Sequence, residues 1–319
     1  MGRAVNLVVS CTNRKRFPTA FGLSAHQLAG VDVIGRLRTW KGRLRATREE
    51  KYPAEHLYMG EHWSVVRSIL SSAGLRGWEI RLWICSAGYG LIRSCTRINA
   101  YQVTFAPGAK DSVAGWGRGA SQMWWAGICS YPIPKDEDAP RSFKQLALQY
   151  PRTPTVVALS ADYLNAVEKD LLSMLNYSYF GRHLAIISCG TSRQHSIWHN
   201  NLLPCDGTMS ASLGGTFTSL NARVARFLFD SPSISNPTVD YWTEVLSSLE
   251  KGSIVRSSRS PQSDAEITSF IQDALEQYPT ASKSKLLESF RATGRACEQK
   301  RFGYLFMQIK QEEQLERYG

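Results

Sequence analysis

The chain has 319 residues, 43% of them hydrophobic, which is enough apolar material for one large domain with its own core plus a small one. No stretch approaches the roughly 18 uninterrupted apolar residues of a membrane helix, and the start, "MGRAVNLVVSCTNRKR", has no signal-peptide pattern; the expectation is a cytoplasmic protein with no membrane partner. The formal charge is +11, and basic residues gather in "RLRTWKGRLRATREEK" (36–51) and again between Lys283 and Arg301, which favours a polyanion, with nucleic acid ahead of a membrane surface.

In chain order, the apolar, β-branched runs "AVNLVVS", "RLWICS", "PTVVALS" and "HLAIISCG" predict short strands. Between and after them, "GEHWSVVRSILSSAG", "GASQMWWAGICSY", "ADYLNAVEKDLLSMLN" and "LNARVARFLFDS" carry apolar residues at helical spacing. Such alternation predicts an α/β fold, a mixed, partly parallel sheet flanked by helices. Ligands of such sheets gather beyond the carboxyl ends of strands. Three predicted strands end in small polar residues there: Ser10-Cys11, Cys85-Ser86 before "AGYG", and Ser188-Cys189. Each pair is either part of a site or a sterically convenient exit.

Residues 1–255 read as this α/β domain, with a Ser-, Pro- and charge-rich linker over 256–263. Residues 264–319 predict three short helices with a glycine turn, Gly294, before the last. Arg295, Gln299, Lys300 and Arg301 then open a third helix suited to a DNA groove, which describes a helix-turn-helix; a protein-docking bundle with a solvated basic face is the competing reading.

Common nucleotide-binding and hydrolase motifs are absent from the sequence. The seven cysteines are scattered and never form CxxC, so they read as reduced thiols, with no disulfide framework or zinc knuckle. His195 and His199 stand four residues apart without a third ligand at a recognisable spacing, so no metal or other cofactor is expected.

Four segments in order, "LYMGEHW" (57–63), "CSAGYGLIRSCTRINAYQVTFAPG" (85–108), "VVALSADYLNAV" (156–167) and "TSLNARVARFLFDSPSIS" (218–235), resemble the YaaA family of peroxide-stress proteins. The resemblance implies a compact α/β domain with a positively charged cleft and a nucleic-acid partner, Arg223 and Arg226 lying on the family's basic helix. The first motif departs from the family, because Ser10 is followed by "CTNRKR" and the basic residue falls later. A cysteine in that first loop and an appended helical module are similar to the DpdC-like members found with systems that insert 7-deazaguanines into DNA. That likeness implies conversion of 7-cyano-7-deazaguanine, already in double-stranded DNA, to the 7-amido form, with other proteins of the modification system as further partners.

Hydrating a nitrile requires a nucleophile at its carbon, a proton donor for its nitrogen and a water. Cys11, beside Asn13, Arg14, Lys15 and Arg16, is the candidate thiolate, with Lys15 and Tyr89 as catalytic partners. Ser86, Gly88, Gly90, Tyr101 and Asn13 are expected to form the base pocket, and Arg14 and Arg118 to meet phosphate. The alternatives are a Cys11 that merely packs while the cations grip the backbone of DNA, and a Tyr89 whose ring faces the core. On those alternatives the chain is a non-catalytic DNA-binding protein of stress response or genome defence. A base buried in a duplex must be extruded, and Trp124 and Trp125 are either wedging side chains for that step or core.

Overall fold

A computed structural model describes residues 4–30, 32–134, 136–191, 197–250 and 260–318, the side chains of Lys300 and 312–318 excepted. Within it the chain divides into two compact units, Met1–Ser253 and Ile254–Gly319. The first runs β1 (Ala4–Ser10), α1 (Val33–Ala46), β2 (Tyr52–Pro53), α2 (Ala54–Leu57), α3 (Glu61–Ala73), β3 (Glu79–Ser86), β4 (Gly90–Arg93), β5 (Arg97–Ile98), α4 (Ala120–Cys129), α5 (Phe143–Gln149), β6 (Thr155–Ala158), α6 (Ala161–Leu172), α7 (Phe180–His183), β7 (Leu184–Ile187), α8 (Met209–Leu213), α9 (Leu220–Phe229) and α10 (Val239–Ser247).

Five strands form one sheet in the order β4-β3-β1-β6-β7, flanked by helices. β1 lies parallel to β3 and to β6, β6 parallel to β7, and β4 returns antiparallel along β3. The fold is therefore α/β with a mixed sheet. Strands covered on both faces should read as continuous apolar runs, and these do: Leu7, Val8 and Val9, Ile84 and Cys85, Val156 to Leu159, and Leu184, Ile186 and Ile187 are all buried. The polar interruption, Asn6, accepts from Trp83 Nε1 at 3.1 Å and donates to Thr155 Oγ1 at 3.4 Å, so burying it leaves its amide satisfied.

Two elements were not expected from the sequence. The segment 36–51 is not simply a basic stretch, because α1 carries Val33, Leu37, Trp40 and Leu44 along one face against the core while its arginines cover the other. The glycine turn after β3 is the bend of a hairpin, so β3 is second from the edge of the sheet and β1 is its centre.

Register decides where the strand exits fall. Ser10 stands opposite Cys85 and Val9 opposite Ala158, and the Cys11 amide donates to the Cys85 carbonyl at 3.1 Å. From β1 the chain builds outward to β3 and β4, then crosses back to place β6 on the other side of β1. The connections thus reverse direction between β1 and β6, which is where open α/β sheets form a ligand crevice.

The second unit contains β8 (Ser260–Pro261), α11 (Asp264–Gln277), α12 (Lys283–Ala292), β9 (Arg295–Ala296) and α13 (Gln299–Tyr318). Its helices enclose a core of their own built from Ile267, Ile271, Leu275, Leu287, Phe290 and Phe302. Ser263 and Glu266 form a capping box on α11, and Gly294, at φ +80°, ends the turn after α12. Two expectations are corrected here. Residues 260 and 261 are part of this unit rather than linker, since β8 pairs with β9. Because β9 takes Arg295 and Ala296, the last helix begins at Gln299, so Arg295 is not on it.

Candidate active site

The exits of β1 and β3 and the start of α6 bring a set of polar side chains into the sheet's carboxyl edge. Cys11 Sγ lies 3.2 Å from the Tyr163 hydroxyl. The loop after Cys11 folds against 57–59: Arg16 N donates to Leu57 O and Met59 N to Arg14 O, each at 2.9 Å, and Lys15 bridges Tyr58. That pairing turns the Lys15 ammonium inward, where it donates to Thr12 O at 2.9 Å and sits 4.2 Å from the centre of the Tyr101 ring and 5.7 Å from that of Tyr58. The Tyr101 hydroxyl in turn meets Ser86 Oγ at 2.7 Å and the Tyr58 hydroxyl at 3.0 Å.

Electrostatics sharpen the roles these groups can take. Burial pulls the Lys15 ammonium down to about 8, partly offset by attraction to Cys11 and Asp111. At neutral pH it therefore remains mostly protonated while standing ready to give up a proton. Tyr58, Tyr101 and Tyr163 are all pushed well above the usual phenol range, first by burial and then by electrostatic coupling to Cys11. They stay neutral, so each keeps a proton it can donate in a hydrogen bond. One thiol, one ammonium and three phenols thus lie in contact, a setting in which negative charge on sulfur or nitrogen would be well supported. Beside it, burial lowers the His62 imidazole to about 4, so it is neutral, and its Nε2 has no hydrogen-bond partner among the described residues.

Of the residues expected at the site, Cys11, Lys15, Ser86 and Tyr101 do converge. Asn13 and Arg14 are exposed on the same loop as Cys11. Tyr58 and Tyr163 were missed; the first lies inside the quoted "LYMGEHW" segment, and the second follows a strand exit, so a search for phenols at the edge would have found both.

The other expected residues lie apart from this cluster or are engaged within the protein. Tyr89 is buried with its hydroxyl accepting from Asn99 N at 3.1 Å, and among the described residues no hydrogen bond joins it to Cys11, Lys15 or Tyr163. The turn around it is packed rather than open: Trp40 Nε1 donates to Gly88 O at 2.8 Å and Trp124 Nε1 to Ala87 O at 2.7 Å. Trp124 and Trp125 are accordingly core. Gly88 matters because a Cβ there would stand 2.6 Å from Tyr101 ring atoms, and Gly90, at φ +78°, because a Cβ would press on Cys129 at 3.2 Å. The glycines make room for protein, not ligand. Gly88→Ala is expected to displace the Tyr101 ring from Ser86 and to cost about 1–3 kcal/mol of stability, read as a lowered midpoint in chemical denaturation.

Four of the eight predicted DNA contacts are engaged within the protein. Arg223 pairs with Glu61 and donates to Ser219 Oγ at 3.1 Å, tying α9 to the start of α3, while Arg226 pairs along its helix with Asp230 at 3.6 Å. Arg118 is exposed on the loop before α4. In the second unit, the Arg295 guanidinium lies 5.1 Å from the Phe270 ring centre and 5.0 Å from that of Phe290, a packing role. Arg301 pairs with Asp264 at 2.7 Å, and Gln299 is exposed at the first position of α13. The side chain of Lys300 and all of His195 lie outside the described residues.

The expectation of uniformly reduced thiols is also corrected, because Cys189 and Cys205 form a disulfide with Cα atoms 4.9 Å apart. Among the described residues no group of three His, Cys, Asp or Glu side chains is arranged to hold a metal ion, and no helix is long and apolar enough to cross a membrane. Comparison of the chain with models of protein families, with curated proteins and with solved structures returns no match.

Proposed function

We propose that this chain is a YaaA-like, DpdC-like enzyme of DNA modification that hydrates the nitrile of 7-cyano-7-deazaguanine in DNA to the 7-amido group. The observation that carries the proposal is the Cys11 thiol, 3.2 Å from the Tyr163 hydroxyl and in the field of the buried Lys15 ammonium, at the reversal point of the sheet.

The chemistry follows from those groups. Cys11 sulfur adds to the nitrile carbon, and the nitrile nitrogen takes a proton from Lys15, giving a thioimidate. Lys15 is recharged by the proton that the thiol gave up. Water then adds to the thioimidate carbon, its second proton completing the NH2 group, and collapse of the tetrahedral species breaks the C–S bond and returns the proton of the new hydroxyl to sulfur. The net change is addition of one water, with no oxidant or reductant. Tyr163 and Tyr101 hold their protons throughout and donate hydrogen bonds to the charge that develops.

Cys11 is only 4% exposed, so its approach must widen when a base comes in. That same burial supports a second reading, in which Cys11 is core and the chain binds DNA without chemistry. The test is incubation of purified protein with duplex and single-stranded oligonucleotides bearing the cyano base, followed by nucleoside mass spectrometry. Amido product supports the enzyme, and unchanged cyano base at saturating protein rules it out.

A further inference from the structure

We propose that Phe21 is the wedge that takes the place of the target base in the duplex when that base is extruded toward Cys11. The proposal rests on the reading of the Cys11 cluster as a site acting on a base in DNA.

Phe21 is 92% exposed, the most exposed of the large hydrophobic side chains among the described residues. An isolated exposed apolar side chain is ordinary on a protein surface. What distinguishes this one is how it is held and what it stands beside. The loop that carries it is pinned on both sides of a site residue: Ala20 N donates to Ala100 O at 2.9 Å, and Gln102 N to Leu23 O at 2.8 Å, so the Phe21 turn is registered against Tyr101. The tip itself is fixed by three further bonds. Phe21 N donates to Glu49 Oε1 at 2.6 Å, Leu23 N to Ala20 O at 2.9 Å, and Arg43 Nη1 to Gly22 O at 2.7 Å. Gly22 makes the turn possible at φ +74°, a conformation that disfavours other residues.

The backbone is thus held firmly while the ring is left in water. A ring needed for folding would be buried, and a loop free to collapse would bury it. A preorganised aromatic tip is what insertion into a base stack requires, since the stacking lost when one base leaves is replaced by the ring at little cost in ordering.

The surroundings match a nucleic-acid partner in charge. Phe21 lines a recess of about 650 Å³ with Arg43, Arg48 and Glu49 from the end of α1 and the loop after it; Arg43 is held by the Gly22 and Gln27 carbonyls and Glu49 by Phe21 N, which leaves Arg48 as the uncommitted charge. Arg38, Arg45 and Arg48 are exposed, and among the described residues Arg38 and Arg48 have no acidic partner. Cations beside the ring suit the phosphates that flank an opened step.

The experiment uses the full chain and a duplex carrying the cyano base with 2-aminopurine as its neighbour, alongside the same strand unpaired. Wild-type protein is expected to raise 2-aminopurine fluorescence on the duplex as stacking is lost. Phe21→Ala is expected to lose that rise and to convert the base in duplex roughly 10- to 100-fold more slowly, with the single strand converted within about twofold of wild type, and Phe21→Trp to restore both. Equal fluorescence and equal duplex rates for wild type and Phe21→Ala would overturn the wedge and leave the chemistry standing. A fluorescence rise that depends on Phe21 without conversion of either strand would support the wedge and sink the nitrile chemistry. No rise with wild-type protein bound to the duplex would overturn the wedge.

Discussion

Cys11→Ala is expected to lower single-turnover conversion of the cyano base by about 10³-fold or more while leaving DNA affinity within about twofold, because the substitution removes the atom that forms the covalent bond and no side chain in the cluster replaces it. The three phenols can polarise a nitrile, but they are held neutral by burial, so none becomes an anionic nucleophile near neutral pH. The structural cost of the change is small. The side chain removed is short, and the Tyr163 ring keeps its edge contact with Phe105, 5.1 Å between ring centres. A loss of about 1–2 kcal/mol is expected, which for a unit of this size moves the thermal midpoint by a few degrees. The assay is nucleoside mass spectrometry with a fluorescence-anisotropy titration on the same preparations. Mass spectrometry of the quenched wild-type reaction should also find a protein adduct the mass of the substrate DNA, absent from Cys11→Ala. Retention of conversion by the variant would remove Cys11 from the mechanism and with it the thioimidate route.

How much of this was legible before the structure depends on whether the deciding contact is local. β1, β3, β6 and β7 were readable because strands covered on both faces must be apolar throughout, and they were placed correctly at the level of an α/β fold. α1 was hidden because its apolar face, Val33, Leu37, Trp40 and Leu44, is interleaved with basic residues that dominate the composition of the segment. Cys11 and Lys15 were singled out together because they are neighbours in sequence at one strand exit. Tyr163 was not, because it reaches Cys11 across 152 residues of chain, and only the strand order makes the two adjacent. The error at "AGYG" has the same origin. Glycines beside a strand exit suggest close approach by a ligand, but the group that approaches Gly88 is the ring of Tyr101, further along the chain. The partner of Arg223 could not be named for the same reason, since Glu61 lies on α3, far away in the chain. Pattern reveals which residues can do chemistry; partners decide which are free to.

Lys15→Met is expected to separate catalysis from folding in opposite directions. The ammonium is taken to donate a proton to the nitrile nitrogen, a contribution typically worth about 10²- to 10⁴-fold, so conversion should fall by that factor. In the wild type, kcat/KM should decline as pH rises through about 8, where Lys15 loses the proton it must donate, and this decline should be absent from the residual activity of the variant. Stability responds the other way. Burial lowers the folded pKa of Lys15 from 10.5 to about 8, so between those values the unfolded chain holds a proton that the folded chain does not. Stability therefore rises with pH across that window, and below it the charged form imposes its full penalty, on the order of 3 kcal/mol. Methionine keeps the length and apolar contact of the side chain over the Tyr101 ring and removes the charge, at the expense of the hydrogen bond to Thr12 O. The unfolding midpoint of the variant at pH 7 should accordingly equal or exceed that of the wild type, and its increase between pH 8 and 10.5 should be flatter. Lys15→Arg, which keeps a charge that cannot be lost in this range, should be the less stable of the two and should not restore the alkaline decline. A Lys15→Met protein that is both active and unstable would show that the buried ammonium is structural, and would return the site to a packed, non-catalytic cluster.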